Sequence, residues 1–278
     1  MKLRAVFALL SLSAAVTSYG QHSCCTATGN TIEALASNAS FQAAHRSPLP
    51  LNYNPQHGAT VTFPTGDGKT GSAYFIHAAK PTKNVLIVCH EWWGLNDYIK
   101  REAEAWQSQL GDVEVYAMDL YDGKSAATPE EAGKLMGALD PVRATEIVKG
   151  LLAKIGEGKN IVTLGWCMGG SWSFQTALHA GSNAKACVMY YGFPEEDQKK
   201  ISMLKTDVLY IYGTKDAYIK KDVVEQFGKR VEATGNKFTR IDYDAVHAFA
   251  NPSNPDYDKK NADDAQVKAI AFIKKGMQ

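Results

Sequence analysis

No sign of charge dominates this chain: 30 lysines and arginines stand against 29 aspartates and glutamates, for a formal net charge of +1. Basic residues come singly or in short pairs such as Lys199-Lys200 and Lys220-Lys221. A nucleic-acid footprint or an anionic membrane partner needs them clustered, so neither is expected. Beyond the N-terminus there is no long apolar run and no expected transmembrane segment in the mature chain. No internal repeat is visible. Histidine pairs at metal-ligand spacing, such as H-x-x-x-H, are also missing. His22, His45 and His57 lie in a polar tail, and His77 and His179 in an ordinary strand and helix. Neither a metal site nor a cofactor is expected. The five cysteines are odd in number and poorly spaced, which argues against a disulfide framework.

What is present is ordinary globular composition, 45% apolar and 21% charged, enough for one sizeable core. Residues 1–20, MKLRAVFALLSLSAAVTSYG, have Lys2 and Arg4, then a short apolar run, then small residues. This is the layout of a signal peptide, so cleavage near Gly20–Gln21 and export to the periplasm or medium are expected. Lipid anchoring at Cys24 is the alternative. Residues 21–57, rich in Ser, Ala, Asn and Pro, read as an extended arm with one short helix.

From residue 58 to 278 strands alternate with helices. ATVTF and GSAYFIHAA read as two strands around the turn TGDGKTG, in which Gly68-Lys69-Thr70 only mimics a phosphate-binding loop. NVLIVCH is a continuous apolar run, the pattern of a strand buried on both faces. DYIKREAEAWQSQLG has helical spacing with a Gly stop. Thr128-Pro129 and Asp140-Pro141 are helix starts, the first with Glu131 three residues after its cap. The remaining alternation through NIVTLGW, KACVMYYGF, DVLYIYG and FTRIDYDAV predicts an α/β fold: a mostly parallel central sheet with helices on both faces. Within it Cys89 and Cys187 read as small core residues.

Cys167 is different, because Gly165-Trp166-Cys167-Met168-Gly169 is a G-x-C-x-G corner between a strand and a helix. Turning a strand sharply into a helix strains the backbone, and the flanking glycines remove the Cβ atoms that would clash. The helix N-terminus favours negative charge on the sulfur, and the Met168 amide can donate to an oxyanion. Past later strands come Asp216 and His247, the nucleophile–acid–base order of an elbow hydrolase. A carboxylate holding one imidazole nitrogen leaves the other free to act on the thiol. Glu91 and Trp92 follow the first buried strand, in the loop that supplies the second oxyanion donor in such enzymes.

The motifs HEWWGLND, DLYDG, GWCMGG, YYGF, GTKD and HAF, in this order, resemble the dienelactone hydrolase family over roughly residues 58–275. The resemblance implies an α/β-hydrolase fold and a Cys-His-Asp triad at Cys167, His247 and Asp216. It implies an oxyanion hole of the Trp92 and Met168 amides, and a glutamate, Glu91, that holds the resting thiol until substrate displaces it. Family members acting on dienelactone bind its carboxylate with arginines, one of them four residues after the triad histidine. Asn251 stands at that position here, and the helix expected to carry another arginine offers only Lys134. The expected substrate is therefore a small ester, lactone or thioester, bound against Trp93 and Tyr191 with Lys134 as a stand-in cation. The expected state is a monomer. A fold that keeps the elbow but only binds a ligand, or senses oxidants through Cys167, is the alternative.

Overall fold

The computed structural model describes residues 32–278, so the expected leader and Cys24 and Cys25 lie outside the described residues. Eight strands form one sheet: β1 (Gly58–Pro64), β2 (Thr70–Ile76), β3 (Asn84–Cys89), β4 (Glu114–Asp119), β5 (Asn160–Trp166), β6 (Ala184–Tyr190), β7 (Val208–Gly213) and β8 (Phe238–Tyr243). Their order is β1-β2-β4-β3-β5-β6-β7-β8. The hairpin β1-β2 pairs antiparallel and joins β4 antiparallel, while every pairing from β4 to β8 is parallel. The central strands are buried nearly end to end, as their unbroken apolar runs predict.

The helices are α1 (Ile32–Ala36), α2 (Ala39–Ala44), α3 (Asp97–Leu110), α4 (Pro129–Gly137), α5 (Pro141–Ile155), α6 (Met168–Ala180), α7 (Gln198–Ile201), α8 (Lys221–Glu232) and α9 (Lys259–Gly276). Local chemistry sets their ends. Asn96 caps α3 by accepting from the Ile99 amide, and Gly111, at φ 90°, stops it. Thr128 and Glu131 form the expected capping box on α4, with Pro129 in its first turn. Gly68 lies in the β1–β2 turn, where its amide donates to the Thr65 carbonyl and Arg143 ties Asp67 down at 3.1 Å. The lookalike phosphate loop is a hairpin.

The arm differs from its reading as an extended segment with one helix. It forms two short helices and is strapped along the body. The Tyr218 hydroxyl donates to the Ser40 carbonyl at 3.0 Å, and the Leu49 amide to the Ser253 carbonyl at 3.1 Å. The Tyr98 hydroxyl donates to the Leu49 carbonyl at 2.9 Å. Glu104 then accepts from the amides of Gln56 and His57 at 3.0 Å each. Phe41, the anchor, is wholly buried. A polar, non-periodic stretch carries no signal of where it docks; its few apolar side chains decide that in three dimensions.

Candidate active site

Parallel strands deliver their carboxyl ends to one edge, and the chemistry gathers there. Register pairs Cys89 with Gly165, Trp166 with Tyr190 and Gly213 with Tyr243. Glu91, Cys167, Tyr191, Asp216 and His247 each follow such a strand end by four residues or fewer. The backbone is strained where it turns there. Cys167 sits at φ 54°, ψ −122°, Tyr191 at φ 38° and Ala248 at φ 60°. Conformations of this kind cost about 1–3 kcal/mol each and persist only where packing over-determines them. Glycines make the corner possible: a Cβ on Gly165 would lie 2.0 Å from the Gly169 carbonyl oxygen, and one on Gly169 2.2 Å from that of Cys89.

His247 Nδ1 donates to Asp216 Oδ2 at 2.7 Å, and both residues are buried. The other oxygen, Oδ1, accepts from the amides of Tyr218 at 2.8 Å and Ile219 at 3.0 Å, which fixes the carboxylate. Burial works against charge on His247, but Asp216 and the Cys167 sulfur outweigh it and raise its pKa to about 10. With Nδ1 committed, Nε2 is the nitrogen left to face Cys167, whose Sγ lies within 4.8 Å. Among those residues the amides of Trp92 and Met168 also donate no backbone hydrogen bond.

The Glu91 loop is held by a residue the motif reading passed over. His90 is buried; its Nδ1 donates to the Glu91 carbonyl at 2.6 Å and its Nε2 accepts the Leu120 amide at 3.0 Å. Those two bonds fix one neutral tautomer and set the loop on β4's exit. Glu91 itself departs from the expectation that it holds the thiol. Asn251 Nδ2 donates to both its oxygens at 2.7 Å, and among the described residues no hydrogen bond joins it to Cys167. The short Asn251 amide is buried beside the acid, and its own oxygen accepts from the Ser253 amide and hydroxyl at 2.8 Å. Burial is the dominant influence on Glu91 and lifts its carboxyl pKa to about 8.

Aromatic rings wall the site. The Tyr191 ring lies 5.1 Å from His247, and Trp92 packs on Trp93 at 4.8 Å. All three are buried, and the Tyr191 hydroxyl has no hydrogen-bond partner among the described residues. Lys134 is not brought here: it sits on the exposed face of α4, 2.6 Å from Glu130, in a groove shared with Ala36 and Gln42 of the arm. The arm itself does arrive. The Phe41 ring lies 5.4 Å from Trp92, 4.9 Å from Tyr218 and 5.8 Å from His247. The His45 ring is 5.4 Å from that of His247. Cys167 is left 1% exposed.

Residues 72–277 match the model of the dienelactone hydrolase family. The chain belongs to that family. As a dienelactone hydrolase family member it is a hydrolase of the kind that acts on esters or lactones. Protein usf of Aquifex pyrophilus is 31% identical over 201 residues, 68% of this chain and 87% of that one. The carboxymethylenebutenolidase of Pseudomonas sp. strain P51 is 24% identical over 227 residues, 75% of this chain and 93% of that one. Among solved structures, a dienelactone hydrolase-like promiscuous phosphotriesterase from metagenomic libraries aligns with TM-score 0.66 at 16% identity, covering 80% of this chain and all of that one. Brefeldin A esterase, a bacterial homologue of human hormone sensitive lipase, aligns at 0.65 with 12% identity over 88% of this chain and 85% of its own. At these identities the two structures speak for the fold, an α/β-hydrolase.

Proposed function

We propose that this family member cleaves its ester or lactone through Cys167 as nucleophile, with an acyl-enzyme intermediate. The observation that carries the reading is the Asp216–His247 pair, with the free Nε2 turned to a cysteine at a strained strand-to-helix corner. Cys167 sulfur attacks the carbonyl carbon, and the amides of Trp92 and Met168 receive the oxyanion. The imidazolium of His247 gives its proton to the departing alkoxide. Neutral His247 then takes a proton from the water that hydrolyses the thioester. Asp216 keeps the ring oriented through Nδ1. A thioester hydrolyses readily, which suits a thiol in this role.

Asn251 is spent on Glu91, and Lys134 stands on the outer face of α4, so no cation is provided for a substrate carboxylate from either expected position. The reading is therefore a small neutral ester, lactone or thioester, bound against Trp93 and Tyr191. Glu91, carrying its own proton up to about pH 8, serves as an adjustable acid beside the site. Export of a monomeric enzyme, through the leader at residues 1–20, completes the proposal. The test is intact-mass analysis of the protein quenched during turnover of p-nitrophenyl acetate and of a small enol lactone. An acyl adduct on Cys167, with Cys167→Ala losing at least about 10³-fold in kcat/KM, is the expected result. Full activity in Cys167→Ala would end the cysteine reading.

A further inference from the structure

The arm brings a third soft-metal donor to two residues of the site. One donor atom each from His45, Cys167 and His247 lies within 4.8 Å of the other two, and all three residues are buried. His45 Nδ1 faces the Phe41 carbonyl at 2.7 Å, and a carbonyl only accepts, so Nδ1 carries the hydrogen and Nε2 the lone pair. His247 Nδ1 is likewise committed, to Asp216. His45 Nε2 is buried with no hydrogen-bond partner among the described residues, and His247 Nε2 faces the Cys167 sulfur. A buried polar nitrogen without a partner costs free energy, so the His45 nitrogen beside this sulfur calls for an explanation. Each imidazole is held through its other nitrogen by a carbonyl or a carboxylate, the outer support that metal-bound histidines usually have.

We propose that His45, Cys167 and His247 form a binding site for a borderline-soft divalent cation, Zn2+ fitting best, which staples the arm over the site. Two imidazoles and a thiolate suit zinc and not magnesium or calcium, which take oxygen ligands. Zinc bonds of about 2.0–2.3 Å hold tetrahedral ligand atoms roughly 3.5 Å apart, so separations of at most 4.8 Å need close by no more than about 1.3 Å on loading. The sulfur and both Nε2 lone pairs go to the metal. The one proton shared by Cys167 and His247 leaves to solvent for each ion bound. Since the ion takes both the proposed nucleophile and the proposed base, loading and hydrolysis exclude each other.

The test uses the full chain carrying Cys24→Ser and Cys25→Ser, stripped of metal, with Co2+ as the probe because a thiolate ligand gives it a charge-transfer band. One Co2+ per chain, that band, release of one proton and displacement by Zn2+ are expected. Cys167→Ser loses the band. His45→Phe keeps the aromatic packing but not the nitrogen, and weakens Co2+ binding at least about 100-fold, since loss of mere outer support already costs 10–100-fold. Unchanged affinity in His45→Phe, a band surviving in Cys167→Ser, or no binding by a protein with native circular dichroism would each overturn the proposal. None of these readouts uses turnover, so the hydrolase reading stands or falls separately on the acyl adduct.

Discussion

Phe41→Ala should unlatch the arm and open the route to Cys167. The Phe41 ring is wholly buried and meets four other rings: His45 at 4.0 Å, Tyr218 at 4.9 Å, Trp92 at 5.4 Å and His247 at 5.8 Å. Truncating a buried phenylalanine costs about 3–5 kcal/mol. The straps at Ser40 and Leu49 survive the change, so the low end, about 3 kcal/mol, is the better guide. At 1.36 kcal/mol per tenfold, the open fraction rises on the order of 100-fold. Where closing outruns the chemistry, the alkylation rate follows that fraction. The assay is timed carbamidomethylation with peptide mapping by mass spectrometry. Cys89 and Cys187, free thiols with 0% exposure in the core, report global unfolding in the same sample. A large gain at Cys167 alone is the expected result. An unchanged Cys167 rate refutes the latch, and a parallel rise at all three cysteines shows that the variant unfolds instead.

Asp216→Asn removes the charge that orients His247 and stabilises its protonated form, and should lower kcat by roughly 10²–10⁴-fold with little change in Tm; kcat within threefold of the parent would remove Asp216 from the proposed triad. Glu91→Gln tests a pH effect on stability. A carboxyl raised from 4.5 to about 8 keeps in the folded state a proton that the unfolded chain has lost, so its contribution is whole below pH 4.5 and falls as pH rises through that window. The parent should therefore lose up to roughly 1.4 kcal/mol per pH unit relative to Glu91→Gln between pH 5 and 7.5, and parallel denaturation curves would show that Glu91 is an ordinary acid. Gly169→Ala puts a Cβ 2.2 Å from the Cys89 carbonyl and 2.4 Å from that of His90, two backbone groups that have no room to yield, for a loss of about 3 kcal/mol by urea titration. A loss under 1 kcal/mol would mean that this corner is looser than it looks.

Apart from the four-residue α7, which was not read, the elements from β1 to α9 were legible because each carries its own local signal. Continuous apolar runs marked β3, β5 and β7, and a Pro or an Asn, Asp or Thr cap opened α3, α4 and α5. That Cys167, Asp216 and His247 would come together was legible for a related reason: parallel topology makes every strand exit converge, so order along the chain stood in for proximity. His90 was read only as part of a motif, because the two hydrogen bonds that make it a post under the Glu91 loop involve a carbonyl and an amide with no sequence signature. Lys134 was misplaced by composition: it is the right kind of cation on the right helix, but on the face where Glu130 four residues earlier claims it.

Sequence by itself determined the alternating fold, the glycine corner at Cys167 and the candidates waiting at the sheet's carboxyl edge, since all of these follow from periodicity, caps and strand order. Tertiary structure alone decided that Asn251 serves Glu91, 160 residues away, and that Phe41 and His45 lie over His247. Those contacts depend on where a short amide and a non-periodic arm come to rest once the core has formed. A histidine in a polar tail has no local pattern to distinguish it from its neighbours; only the pocket that buries it gives it a role.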